Sequence, residues 1–262
     1  MLNTILTKTL YERRWSLLIW FFAITASVLS IMIFFPVLRD SLGTALKDVP
    51  ESMQGLLGDA ATYQTITGYV DLQVIAQMVF LTIIMGIIAG TSLIAGDENN
   101  GTLQTLLAQP VSRTKVYLQK LAALAVITLV ASFAIFTGVM LGALFIGESL
   151  SMTDMVLASV MIWVLTFFFA SIAYGVGAAT GKRSIAGVVT GFYAFVAYML
   201  TALAGLSDEL SSLNYGSPFY YLTEPSVLLE EFSIRNALIL LTGAMLFIVI
   251  GWLRFRRRDI IL

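Results

Sequence analysis

Apolar residues fall in six long blocks along this chain, separated by short polar segments. The blocks cover residues 15–35, 74–95, 121–146, 155–177, 185–204 and 237–253. Each supplies the roughly 17–25 apolar residues with which a helix rising about 1.5 Å per residue crosses a hydrocarbon core about 30 Å thick. No Lys, Arg, Asp or Glu stands in the middle of a block. The pattern predicts an all-α integral membrane protein with six transmembrane helices, one domain spanning residues 1–262.

The segments between the blocks have patterns of their own. Leu2, Ile5, Leu6 and Leu10 form an apolar stripe beside Lys8, Arg13 and Arg14, as in a helix lying on the membrane surface ahead of the first span. A cleaved leader cut near Thr25-Ala26-Ser27 is the competing reading, and the charges around the other five spans fit better with the first one kept. Residues 36–73 suggest two short helices broken at Val49-Pro50, one with Leu38, Leu42, Ala45 and Leu46, the other with Met53, Leu56 and Leu57. They are read as capping the bundle. Between the second and third blocks, Leu103, Leu106 and Leu107 recur at i, i+3 and i+4, gathering on one helix face. Asp97 and Glu98 favour a helix N-terminus, and Pro110 disfavours helix at the residue before it. A short helix over about 98–108 is expected, with a leucine face that lipid alone does not explain. The segment 205–236 is acidic and aromatic, and Ser217-Pro218-Phe219-Tyr220-Tyr221 is expected to anchor at the headgroup level.

Basic residues set the orientation. With the N-terminus cytoplasmic, the inner segments hold Lys8, Arg13, Arg14, Arg113, Lys115, Lys120, Lys182, Arg183, Arg254, Arg256, Arg257 and Arg258, and the outer ones only Arg39, Lys47 and Arg235. Twelve against three places both termini inside. The arginines after the last block form a stop-transfer cluster that also attracts anionic lipid.

Composition agrees: 58% of the residues are hydrophobic and 12% charged, against about 25% charged in soluble domains, and mean hydropathy is +0.90. A net charge of −1 gives no basic field for nucleic acid. Cysteine and histidine are absent, which excludes disulfides, thiolate chemistry, histidine-based hydrolases and the commonest metal ligand. The nearest approach to a phosphate loop, residues 175–184, has Val176 for its first glycine and Arg183 for its Ser/Thr, so ATP hydrolysis by this chain is not expected. Gly86/Gly90, Gly138/Gly142, Gly177/Gly181 and Gly187/Gly191 suggest close helix packing. Thr25, Ser27, Ser30, Gln77, Thr128, Ser132, Thr137, Thr166, Ser171, Tyr174, Tyr193 and Tyr198 are the mild polar groups within the blocks, most of them expected to hydrogen-bond between helices.

The run Glu98-x-x-Gly101-Thr102-Leu103-x-x-Leu106-Leu107-x-x-Pro110-Val111-Ser112-Arg113, followed by Lys120, resembles the cytoplasmic signature of ABC-2-type ABC transporter permeases. Leu56-Leu57-Gly58, Ser217-Pro218-Phe219 and the Arg257-Arg258-Asp259 tail are similar too. The resemblance implies a cytoplasmic coupling helix between helices 2 and 3 and an N-terminal interfacial elbow helix. It implies that Glu98, Gly101, Thr102, Leu103, Leu106, Leu107, Pro110 and Arg113 dock a separate ATP-binding subunit, with a smaller contact from Lys182 and Arg183. Leu103, Leu106 and Leu107 would be the knobs of that joint, Gly101 would permit close approach, and Arg113 would meet acidic groups or phosphates. It further implies a non-enzymatic permease whose partners are two ATPase copies carrying ATP and Mg and a second permease chain, identical or related. The cargo expected is amphipathic or lipophilic (a drug, peptide or lipid), exported across a bacterial or archaeal plasma membrane. Two other readings stay open: a non-transporting anchor or sensor subunit that keeps the same helix, and an ion-coupled secondary transporter, against which the lack of intramembrane charge weighs.

Overall fold

Every apolar block is a helix in the computed structural model, which describes residues 4–45, 62, 64–204 and 208–259. Helix α1 (Ile5–Glu12) precedes a first span made of α2 (Arg14–Ile33) and α3 (Phe35–Ala45). The second span is one long helix, α4 (Ile66–Asn99), and the short α5 (Thr102–Leu107) follows it. Then come α6 (Arg113–Ile146), α7 (Met152–Thr180) and α8 (Arg183–Leu203). Two short helices, α9 (Asp208–Asn214) and α10 (Tyr220–Thr223), lead to the last span, α11 (Ile234–Arg257). No strand occurs among the described residues.

Local chemistry explains most of these limits. Thr4 and Thr7 exchange side chain-to-backbone hydrogen bonds at the start of α1. The hydroxyls of Ser112, Ser151 and Ser233 accept amide hydrogen bonds at the starts of α6, α7 and α11, satisfying donors that have no partner within the helix. Pro36 has no N–H to give the preceding turn, and the first span breaks between Ile33 and Phe35. Of the two capping helices expected over 36–73, α3 is the first. Met53, Leu56, Leu57 and the Leu56-Leu57-Gly58 step lie outside the described residues, as do Leu2, Leu46 and Lys47.

Helix α7 is the central post and packs on α4, α6, α8 and α11. Small residues set these crossings. Gly86 and Gly90 on α4 face Thr166, Ala170 and Ala173 of α7, while Gly138 and Gly142 on α6 face Val28 and Met32 of α2. A further close crossing was not expected from the glycine spacing: a Cβ on Gly251 of α11 would lie 2.6 Å from the Gly175 Cα of α7 and 2.9 Å from the Tyr117 hydroxyl. Gly191 of α8, by contrast, has nothing within 4 Å. Gly251→Val is therefore expected to overpack the crossing at about 1–3 kcal/mol, and Gly191→Ala to hold stability or raise it by up to about 1 kcal/mol. Thermal unfolding in detergent checks this, and equal Tm values for the two variants would rule the close crossing out.

Most of the mild polar groups are of two kinds, and the buried Ser171 hydroxyl belongs to neither. The Thr25 hydroxyl donates across to Ala134 O (3.2 Å), Ser132 to Ser159 O (2.5 Å), and Thr166 shares a hydrogen bond with Thr82 (2.9 Å). Ser27, Ser30 and Thr137 instead bond the carbonyl four residues back in their own helices, so the interhelical role expected of them does not hold.

Alternation of the spans produces two chemically distinct ends. At the basic end lie α1, α5, the α7–α8 turn and the end of α11. Gln119 Oε1 accepts from the Ile5 and Leu6 amides (2.7 and 3.3 Å) and fixes α1 on α6 there. At the acidic end lie α3, the α6–α7 turn and α9–α10. Arg39 pairs there with Glu148 at 3.1 Å. Part of the aromatic segment turns inward, while Tyr220 and Tyr221 stay half-buried. Ser217, Pro218 and Phe219 are buried, and Ser217 Oγ donates to Ala197 O (2.8 Å), because Phe219 finds ring partners in Phe80, Phe169 and Tyr198.

Candidate functional site

The polar segment between the second and third spans forms a joint at the basic end. Helix α4 runs on past its apolar portion through a wide turn at Ser92–Gly96 and ends with Asp97–Asn99. Gly101 then takes φ 73°, in the left-handed region where only glycine is free of strain. That turn reverses the chain, and Thr102 Oγ1 donates to Asp97 O (3.0 Å) as α5 begins. Asp97 and Glu98 thus belong to the last turn of α4, whereas the local pattern predicted them at the start of one helix over 98–108. The reason is that the backbone ladder continues unbroken to Asn100 N→Gly96 O (3.0 Å), and only glycine's positive φ stops it.

Carboxylates at a helix C-terminus oppose its dipole, and cations from distant segments offset them here. Lys120 of α6, 2% exposed, pairs with Asp97 and donates to Leu93 O at 2.7 Å. Arg258, just past α11, pairs with Glu98. Arg113 directs one nitrogen at the carbonyls of Arg258 (2.6 Å), Arg256 (3.4 Å) and Phe255 (3.5 Å), satisfying acceptors left open at the end of α11. The Asn99 amide, with its nitrogen turned toward them, donates to Ala95 O and Gly181 O (3.2 Å each). Beneath, Tyr174 Oη donates to Tyr117 O (2.7 Å) and Tyr117 Oη to Ile248 O (2.8 Å). Burial pushes the Arg13 guanidinium down from its ordinary value while Asp97 works against the shift. These contacts bind the ends of α4, α6, α7 and α11 into one block.

The residues expected at a docking surface separate on this block. Leu103 is fully buried in the chain's own core, so it seats α5 on the bundle and is not a knob for another protein. Leu106 and Leu107 are half-buried against that core, and Leu106 lines a 250 Å³ groove with Lys8, Gln109, Val111 and Lys115. Glu98 and Arg113 are engaged within the chain. Thr102, Thr105, Ala108, Gln109, Pro110, Lys182 and Arg183 are exposed. Sequence reasoning missed Arg258, Asn99 and Tyr117. Arg258 read as one more basic residue after a last span, and its partner Glu98 is 160 positions away. Among the described residues no group of three or more His, Cys, Asp or Glu gathers where it could hold a metal ion.

Six helices long and apolar enough to cross a membrane, with a welded polar joint at one end, define a multi-pass membrane protein. Residues 3–260 match the family described as ABC-2 family transporter protein, so the chain belongs to the ABC-2 family and is an ABC transporter permease. No curated protein matches the chain.

Proposed function

We propose that this permease is an exporter of amphipathic or lipophilic cargo, driven by a separate ATP-binding subunit that docks at the basic end. The observation that carries the reading is the joint itself. Force applied to α5 passes through Gly101–Asp97 into α4, through Lys120 into α6, and through Glu98, Arg258 and Arg113 into α11. The docking surface is the exposed side of α5, the groove floored by Leu106, and the neighbouring Lys182 and Arg183. Two ATPase copies and a second permease chain, identical or related, complete the proposed assembly, with ATP and Mg held by the ATPases. The basic end faces the cytoplasm of a bacterial or archaeal cell in this reading, following the distribution of Lys and Arg.

An ion-coupled transporter fits less well. Asp71 and Asp97 are 26 positions apart on α4 (97 − 71), roughly 39 Å at 1.5 Å per residue, and Asp97 is already paired with Lys120. Such a separation offers no short proton relay.

The test is to purify the tagged chain from its native membranes in mild detergent. An ABC-type ATP-binding subunit is expected in stoichiometric amount. Thr105→Glu with Ala108→Glu, both on exposed positions, is expected to lower its recovery at least tenfold without altering the permease's own Tm. Recovery of no such ATPase with the wild type, or undiminished recovery with the double variant, would overturn the docking surface.

A further inference from the structure

At the acidic end, α4, α8 and α10 enclose a cavity of about 320 Å³ that the joint does not use. Its walls include Val79, Phe80, Tyr198 and Phe219. Phe80 meets Tyr198 edge-on with ring centroids 4.5 Å apart and stacks on Phe219 at 5.6 Å. The charged residues lining it are both carboxylates, Asp71 and Glu224. Asp71 sits in a wide helical turn, Val70–Ile75, an irregularity frequent at functional sites. Its Oδ1 accepts a hydrogen bond from Ser226 Oγ at 2.9 Å, which fixes the carboxylate without neutralising it. Among the described residues neither Asp71 nor Glu224 has an ion-pair partner.

We infer that this cavity binds amphipathic organic cations, the cargo class of the permease, an inference whose transport meaning rests on the function proposed above. The aromatic wall of Phe80, Tyr198 and Phe219 favours a cation over an anion through its ring quadrupoles, and Val79 supplies apolar contact. Asp71 supplies the opposite charge, which a partly buried site needs if an ion is to enter it at acceptable cost. An anion would meet two uncompensated carboxylates. A neutral ligand would leave both unpaired. The chain segment that supplies Glu224 adds to the selection, since Glu224, Glu230 and Glu231 are opposed in it only by Arg235, and a net negative field raises the local concentration of cations.

The experiment uses the full-length chain alone in lipid nanodiscs, with radiolabelled tetraphenylphosphonium and tetraphenylborate as probes of like shape and opposite charge. Uptake by protein-free discs is subtracted. Saturable binding of tetraphenylphosphonium is expected, weakened at least tenfold by Asp71→Asn and at least threefold by Phe80→Leu. Tetraphenylborate is expected to show no saturable binding. Asp71→Asn keeps an oxygen for Ser226, and Glu224→Gln, on an exposed side chain, is a second charge variant expected to weaken binding with Tm unchanged. The proposal is overturned if the wild type shows no saturable binding of the cation. It also fails if both charge variants bind the cation like the wild type, or if the anion saturates the same site. No ATPase is present, so failure here leaves the docking surface standing, and loss of docking leaves this site standing.

Discussion

Asp97→Ala is expected to unfold the basic end of the protein, and Lys120→Met added to it to restore most of the loss. Lys120 is 2% exposed, and without Asp97 its ammonium keeps only the Leu93 carbonyl. Removing one partner of a buried pair costs about 3–5 kcal/mol, whereas replacing both with apolar groups is often neutral. The Asp97 side chain is 30% exposed, so water reaches the site and the lower figure, about 3 kcal/mol, is the one to expect. For a chain of this size that is a fall in Tm on the order of 6–12 °C. Thermal unfolding of the two single variants and the double variant in detergent measures it as a coupling energy. A double variant no better than Asp97→Ala would show that the pair does not hold the joint.

Glu98→Arg is expected to disconnect the motor from the bundle. It places two guanidinium groups together beside Gly181 and frees the tail of α11 from the end of α4. Docking uses the exposed side of α5, which this change leaves in place, so the ATPase should still co-purify. ATP-dependent transport in reconstituted vesicles should fall at least tenfold. Arg258→Glu combined with Glu98→Arg reverses the pair and should return much of the activity. The pair is part-buried, so its geometry matters and recovery short of complete is expected. Full transport by Glu98→Arg alone would mean that force does not pass through this contact.

The six spans were legible because membrane helices are set by a local property. Some 20 apolar residues in a row can satisfy their backbone only as a helix in lipid, and each block became one. Their ends were less legible. Asp71, Asp97 and Lys120 lie inside helices that the apolar blocks alone placed shorter, because a helix continues past its greasy part wherever its charges find partners. The joint was legible as a place but not as a mechanism. Leucine periodicity located α5, and it could not say whether Leu103 faced another protein or this one.

The chain's linear pattern by itself determined the architecture: a six-helix membrane protein with a polar segment after the second span and a strong bias of basic residues to one set of loops. Local rules of propensity, capping and hydrophobicity suffice for that, since each acts over a few turns of helix. Only the tertiary structure decided which charges neutralise one another, Lys120 with Asp97 and Arg258 with Glu98, and that Phe219 folds inward to line a cavity with Asp71. Those outcomes depend on contacts between residues 23 to 160 positions apart, chosen by the packing of whole helices around Gly175 and Gly251, and no local periodicity carries that information.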